Sequence, residues 1–409
     1  MNRRKFLQTA SLLAAGTIIP IGINGWVSRS FAQSDNRQRL IVILLRGGVD
    51  GLNVVVPYQD PIYYQSRPTI AIPKLNQDQG VLYLNNTFGL HPALKPLMSL
   101  WKQENLAFVH ACGSRNETRS HFDAQLYMES GTPGIKSTTE GWMNRLLATL
   151  PQGRPTQAVN RGETIPLILR GSMTVANLPP ARNANHRLPV DRPYINAAFD
   201  RLYQGNDAIS HTYRQGREAR EIVLAELQKE MNAADGGAPS TINFVKDCRN
   251  LARLMVGDAK TQLAFMDLGS WDTHVNQGGS SGNLSNNLKK LGAGLATLAK
   301  DLGSLFNQTT IVVLSEFGRT VRENGNGGTD HGHGNVMWLL GGRIRGGKVY
   351  GQWTGLEDEQ LYQGRDLEVT TDFRDIVMSV LQQHMGLNNS QMAQVFPDYS
   401  AQQRLDIYQ

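Results

Sequence analysis

Cysteine is scarce. Cys112 and Cys248 are the two in 409 residues, which excludes a scaffold built on disulfides. Cys248 falls on one apolar helical face with Phe244, Leu251 and Met255, so a packed thiol accounts for it more simply than a disulfide. A strong excess of one charge is also missing. Arg3, Arg4, Lys5 and Arg29 lie in the first 32 residues, which hold no acid, so the formal charge falls from +6 to +2 without them. A near-neutral chain has no electrostatic footprint for nucleic acid. Long unbroken apolar runs are lacking as well. The stretch from Ala10 to Val27 is interrupted by Gly16, Pro20, Gly22 and Gly25. It suits a transient export signal better than a lasting membrane span. There is no internal repeat and no low-complexity tail.

What is present begins with a targeting segment. Arg3-Arg4-Lys5-Phe6-Leu7 is a twin-arginine pattern, and Ser30-Phe31-Ala32 offers a small-x-small cleavage site before Gln33. The expectation is a signal over 1–32 and a single mature domain over 33–409. The twin-arginine machinery would be its export partner, and the periplasm or the exterior its location. Apolar content of 40% against 19% charged supports a substantial core.

Short apolar, β-branched runs recur at 39–45, 106–111, 263–269, 311–315 and 336–340. They read as buried strands, with helical patterns between them, most clearly over the leucines at 284, 288, 291, 295, 298, 302 and 305. This alternation predicts an α/β fold, a three-layer α/β/α sandwich with a mostly parallel central sheet. Residues 57–90 read as irregular, His91–Gln103 as a helix, 166–169 as a strand, 348–356 as an edge hairpin and 371–385 as a final helix. The span of about 151–257, rich in Pro, Arg, Asn and Thr in its first part, reads as an insertion or cap.

Chemistry-bearing residues follow the strands. After the first run comes Arg46-Gly47-Gly48-Val49-Asp50-Gly51; Asp50 is either a turn residue or a ligand at a strand end. After the second come Arg115, Thr118, Arg119 and Ser120 at a helix start. There a hydroxyl would meet the positive end of the helix dipole. Ser120 is the first choice for a nucleophile and Thr118 the second, although Ser120 also reads as a plain N-cap. After the third come Asp272 and His274, which at i and i+2 can point the same way. After the fourth come Glu316 and Arg319, then a glycine-rich loop ending in Asp330-His331-Gly332-His333. Acids and histidines at this density are a metal-ligand set.

Together these motifs resemble the alkaline phosphatase and sulfatase superfamily. More narrowly, they look like a sulfatase-like family of twin-arginine-exported proteins. The resemblance runs through Arg-Gly-Gly-x-Asp-Gly-Leu at 46–52, Arg-Ser-His-Phe at 119–122, Trp-Asp-Thr-His at 271–274, Ser-Glu-Phe-Gly-Arg-Thr at 315–320 and Asp-His-Gly-His-Gly at 330–334. It implies an alkaline-phosphatase-like fold. It implies one metal site from Asp272, His274 and His333 or His331, and a second with Asp50, Ser120 and Glu316. The ions would be divalent: zinc, manganese, calcium or magnesium. The implied activity is hydrolysis of a small anionic phosphate or sulfate ester, with Arg119 or Arg319 on the equatorial oxygens. Two departures stand out. Glu316-Phe317 replaces the relatives' Asp-His, and Asp272 and His274 are two apart rather than four. The sulfatase signature Cys-x-Pro-Ser-Arg is absent, which argues against a formylglycine sulfatase. The competing expectation is an exported metal- or ligand-binding protein without turnover.

Overall fold

The computed structural model describes residues 37–162, 164–178, 193–218, 243–257 and 260–409. The export signal, His186 and the Gly-Gly-Ala-Pro break at 236–239 lie outside the described residues. The central sheet takes the strands β1 (Arg39–Leu45), β2 (Leu106–Gly113), β3 (Ala158–Arg161), β4 (Ala176–Leu178), β5 (Leu263–Leu268), β6 (Thr309–Ser315), β7 (Asn335–Leu340), β8 (Lys348–Tyr350) and β9 (Thr371–Asp372). Their order is β8-β2-β7-β6-β1-β5-β3-β4, with β9 also paired to β2. All pairings are parallel except those of β7, which runs against both β2 and β6.

The apolar runs form strands because both faces are covered. Ile41, Ile43 and Leu45 of β1 enter one core, and Leu40, Val42 and Leu44 enter the other. β6 divides the same way, with Ile311 and Val313 on one side and Val312 and Leu314 on the other. This is the two-residue period of a strand buried on both sides. Among the described helices are α1 (His121–Ser130), α2 (Trp142–Thr149), α3 (Pro193–Leu202), α4 (Asn243–Gly257), α5 (Asn283–Leu302), α6 (Phe373–Gln383) and α7 (Asn389–Val395). α4 and α5 cover the first face, and α2, α6 and α7 the second. The leucines from 284 to 302 are the buried stripe of α5, a crossover between the parallel strands β5 and β6, while Leu305 falls in the 3-10 turn Gly303–Gln308 that follows. The architecture is the three-layer α/β/α sandwich with a mostly parallel sheet. No described helix is long and apolar enough to cross a membrane.

Several local expectations change. Residues 166–169 hold a 3-10 turn at Leu167–Leu169 instead of a strand. The segment read as an insertion supplies β3 and β4 to the main sheet, with α4 packed on it. Lys348–Tyr350 pairs in parallel with β2 instead of folding into a hairpin. Residues 55–90 contain a small three-stranded sheet and a helical turn at Pro61–Ser66. Helix α6 is followed by α7, so it is not the last. Cys112 and Cys248 are both free and buried.

Three histidines serve the core. His91 and His110 each donate from Nε2 to a carbonyl, of Gly279 and Val55 (3.1 Å each), while Nδ1 accepts a backbone N–H. His384 donates to the Arg39 carbonyl at 3.0 Å. An imidazolium cannot accept at Nδ1, and burial pushes all three pKa values from 6.5 down to about 4. Their folded values lie below the unfolded ones. The stability they contribute is therefore complete above pH 6.5 and is lost as pH falls through about 4. The melting temperature is expected to fall steadily across that window. His384→Gln should flatten the slope of urea-derived stability against pH, by at most about 3 kcal/mol.

Candidate metal centre

Parallel strands bring their C-terminal ends to one edge, and the loops there follow β1, β2, β5 and β6. The loop before β7 reaches the same edge because β7 alone is reversed and begins where the others end. The strand-end motifs therefore meet. Gly47 makes the meeting tight: its φ is +122°, and a Cβ there would lie 2.6 Å from the Asp272 nitrogen.

Three imidazoles and one carboxylate converge. Single ligand atoms of His121, Asp272 and His331 all lie within 4.8 Å of one another. His274 joins them, with Nε2 at 2.9 Å from His331 Nε2 and 3.0 Å from Asp272 Oδ1. Each of the three rings is held from behind at Nδ1. His121 donates to Glu316 Oε1 at 2.8 Å, His274 to Asp330 Oδ1 at 3.1 Å, and His331 to the Arg119 carbonyl at 2.8 Å. With the protons on Nδ1, the Nε2 lone pairs of His121 and His331 face one space, and that of His274 lies against His331 and Asp272. Two such lone pairs at 2.9 Å repel unless a cation lies between them. His121 Nε2 is buried and has no hydrogen-bond partner. Those two observations fit a divalent ion. Three imidazole nitrogens and a carboxylate suit zinc or a similar transition metal.

Glu316 sits behind this set. Its Oε1 accepts from Gly47 N, His121 Nδ1 and Gln125 Nε2, each at 2.8 Å, and its side chain is fully buried. Burial raises its pKa, but the hydrogen bonds from His121 and Gln125 more than offset that and hold it below the usual carboxylate value. The same bond to Glu316 raises the His121 pKa, and burial lowers that of His331. Asp272 is raised by burial and lowered further by Arg319, for a net fall. Phe317 packs against both His121 and His331, with ring centroids 4.9 Å away in each case. It is an apolar wall beside the two rings.

The sequence-named residues divide into two groups. Asp272, His274 and His331 come together, with Asp330 orienting His274. His333 does not join them; it is buried and stacks on Tyr362, with centroids 4.5 Å apart. Asp50 is not a ligand in this arrangement, because both its oxygens are bound by Arg67 at 2.6 and 3.0 Å, and Gln277 adds a third bond. Glu316 is an orienting group, so the second metal site implied by the resemblance is not assembled. Arg319 is buried and donates to the carbonyls of Gly47, Gly48, Trp271 and Thr329 and, at 2.5 Å, to Asp272. It fastens the loops and is not free for substrate oxygens. Arg119 pairs with Asp366 at 2.7 Å. Ser120 is exposed and caps α1, and Thr118 accepts from the Ser120 nitrogen at 3.2 Å. The residue that sequence reasoning missed is His121. Its signal was its place in Arg-Ser-His-Phe directly after the second strand's loop.

A protein-family model described as "Protein of unknown function (DUF1501)" matches residues 37–396. The chain belongs to this DUF1501 family. No curated protein matches it. Among solved structures, the C-terminal periplasmic domain of EcEptC from Escherichia coli is 11% identical, with TM-score 0.40, and the match covers 90% of this chain and 89% of that one. The lipoteichoic acid synthase LtaP from Listeria monocytogenes is 9% identical, with TM-score 0.35, covering 89% and 75%. The overlays are loose, and no residue of the DUF1501 chain takes its role from them.

Titration calorimetry with zinc is expected to give one ion per chain, lost in His331→Ala and in His121→Ala. Glu316→Gln should retain the stoichiometry and weaken affinity about 10–100-fold. The ion competes with a proton on His121 Nε2, whose pKa is raised, so affinity should climb as pH rises past 6.5. Arg67→Ala should cost stability, about 3–5 kcal/mol in urea unfolding, by leaving Asp50 buried and unpaired.

Proposed function

We propose that this chain is an exported, metal-dependent hydrolase of phosphate or sulfate esters that works with one divalent ion. The observation that carries the reading is the convergence of three Nε2 atoms and the Asp272 carboxylate in a space open to solvent. Asp272 keeps 44% of its side chain exposed, and His274 keeps 37%. The twin-arginine pattern at Arg3-Arg4 supports export of the folded protein to the periplasm or beyond. The superfamily resemblance of the strand-end motifs supports the choice of ester.

A divalent ion bound here would supply Lewis acidity, neutralising charge on the ester and easing deprotonation of a nearby hydroxyl or water. The rest is done by the chain. Glu316, Asp330 and the Arg119 carbonyl fix the three imidazoles in the tautomer that leaves Nε2 open. Arg319 holds Asp272 in place. Ser120 directly precedes His121, and its hydroxyl faces solvent at the positive end of α1. Attack by its oxygen would release the alcohol and leave the phosphoryl or sulfuryl group on Ser120 for water to remove. Arg119, 33% exposed, is the cation we assign to the substrate oxygens; the clamp assigned to Arg319 is replaced by its structural role.

A second reading is a metal-binding protein without turnover. It is favoured by the positions of Asp50 and Glu316, whose oxygens are occupied by protein donors, and by the capping role of Ser120. The zinc-loaded protein should hydrolyse 4-nitrophenyl phosphate or 4-nitrophenyl sulfate, and Ser120→Ala should reduce kcat at least about 100-fold with zinc still bound. Full turnover in Ser120→Ala would move the attack to water. Inertness of the loaded wild type toward both esters would leave the binding protein.

A further inference from the structure

A cleft of about 790 Å³ opens beside the metal centre, within the size range of small-molecule sites. Helix α1 borders both. His121 begins the helix and faces the centre, while Phe122, Gln125 and Glu129 line the cleft. The connection is direct: Arg46 donates to Gln125 Oε1 at 2.8 Å, and Gln125 donates to Glu316 Oε1, the acceptor of His121. A ligand bound in the cleft thus rests on the groups that orient a metal ligand.

The lining restricts what would bind. Among the described residues its charged groups are Arg46, Arg161, Arg170, Glu129, Asp247 and Asp267, which sum to zero. Arg46 is paired with Glu129 and Asp267 at 2.8 Å each, and Arg161 with Asp247 at 2.6 Å. A second anionic group would find no net positive field. An acyl chain would have to desolvate the charged groups without giving them hydrogen bonds. A hydroxyl both donates and accepts, so it can bond to either member of an ion pair. Phe122 supplies the remaining feature. It lines the cleft with 89% of its surface exposed, an aromatic face with almost nothing packed on it. Such a face suits the apolar C–H side of a ring that is polar at its edge.

We propose that this cleft receives the alcohol part of the ester, and that this alcohol is a neutral, hydroxyl-rich group of sugar type. The assignment of the alcohol to an ester rests on the hydrolase reading; the recognition of the sugar by the cleft does not.

The test is saturation-transfer NMR on the zinc-loaded full chain with methyl β-D-glucoside, methyl β-D-galactoside and N-acetyl-D-glucosamine, with sodium octanoate as the apolar alternative. At least one sugar should give a signal, and Phe122→Ala or Arg170→Ala should weaken its binding about tenfold. His331→Ala should keep it. Phe122 and Arg170 are exposed, so neither variant tests folding. No sugar signal, Phe122-dependent binding of octanoate in its place, or sugar binding indifferent to both variants would overturn the proposal. Sugar binding without turnover of any ester would retain the cleft and remove the hydrolase. Ester turnover without sugar binding would do the reverse.

Discussion

The buried guanidinium of Arg319 is the interaction on which the centre depends. It is 2% exposed and donates to four backbone carbonyls and to Asp272. Those carbonyls belong to the loops after β1 and β5 and to the loop before β7. Each loop alone has a wide choice of conformations. A planar donor with fixed angles ties them to one another and leaves few choices. Burying a charge this deeply is costly unless every N–H is satisfied. The same condition makes the clasp specific, since a loop displaced by an ångström would strand a donor. Asp272 neutralises the charge and still turns its other oxygen toward His121 Nε2 at 3.5 Å.

Behind the ligands lies a second layer of the same kind. Glu316 links β1 through Gly47, α1 through His121 and Gln125, and the end of β6 through its own backbone. The carboxylate that resemblance placed on a metal is thus an organiser, and a Phe beside it closes the space a second imidazole would have used. What remains is one cluster in which three side chains bring ligand atoms within 4.8 Å of one another. Arg67 and Asp50 show a comparable substitution of roles. A fully satisfied ion pair occupies the strand-end position from which a ligand had been expected.

Much of the architecture was legible in the sequence because it is governed by short-range pattern. Apolar β-branched runs of five to seven residues can bury both faces only inside a covered sheet, and the leucine stripe can face only one way. Failures of that reading have local causes. Pro166 precedes Leu167–Leu169, and its fixed φ and missing N–H favour a turn over a ladder. Lys348–Tyr350 looked like half of a hairpin, yet its partner, β2, lies more than 200 residues away in the chain.

The sequence by itself determined the α/β class, the crossover helix, the strand ends that carry acids and histidines, and the membership of Asp272 and His274 in a common loop. Tertiary structure alone decided which of these side chains converge. His331 and His333 are chemically alike and two residues apart, and nothing local separates them. The reversal of β7 and the bridge between Arg319 and His331 turn one toward His121 and the other toward Tyr362. His121, Glu316 and Asp272 come from loops far apart in the chain. Whether an imidazole is a ligand depends on which oxygen holds its other nitrogen, and that oxygen is brought up by a different strand.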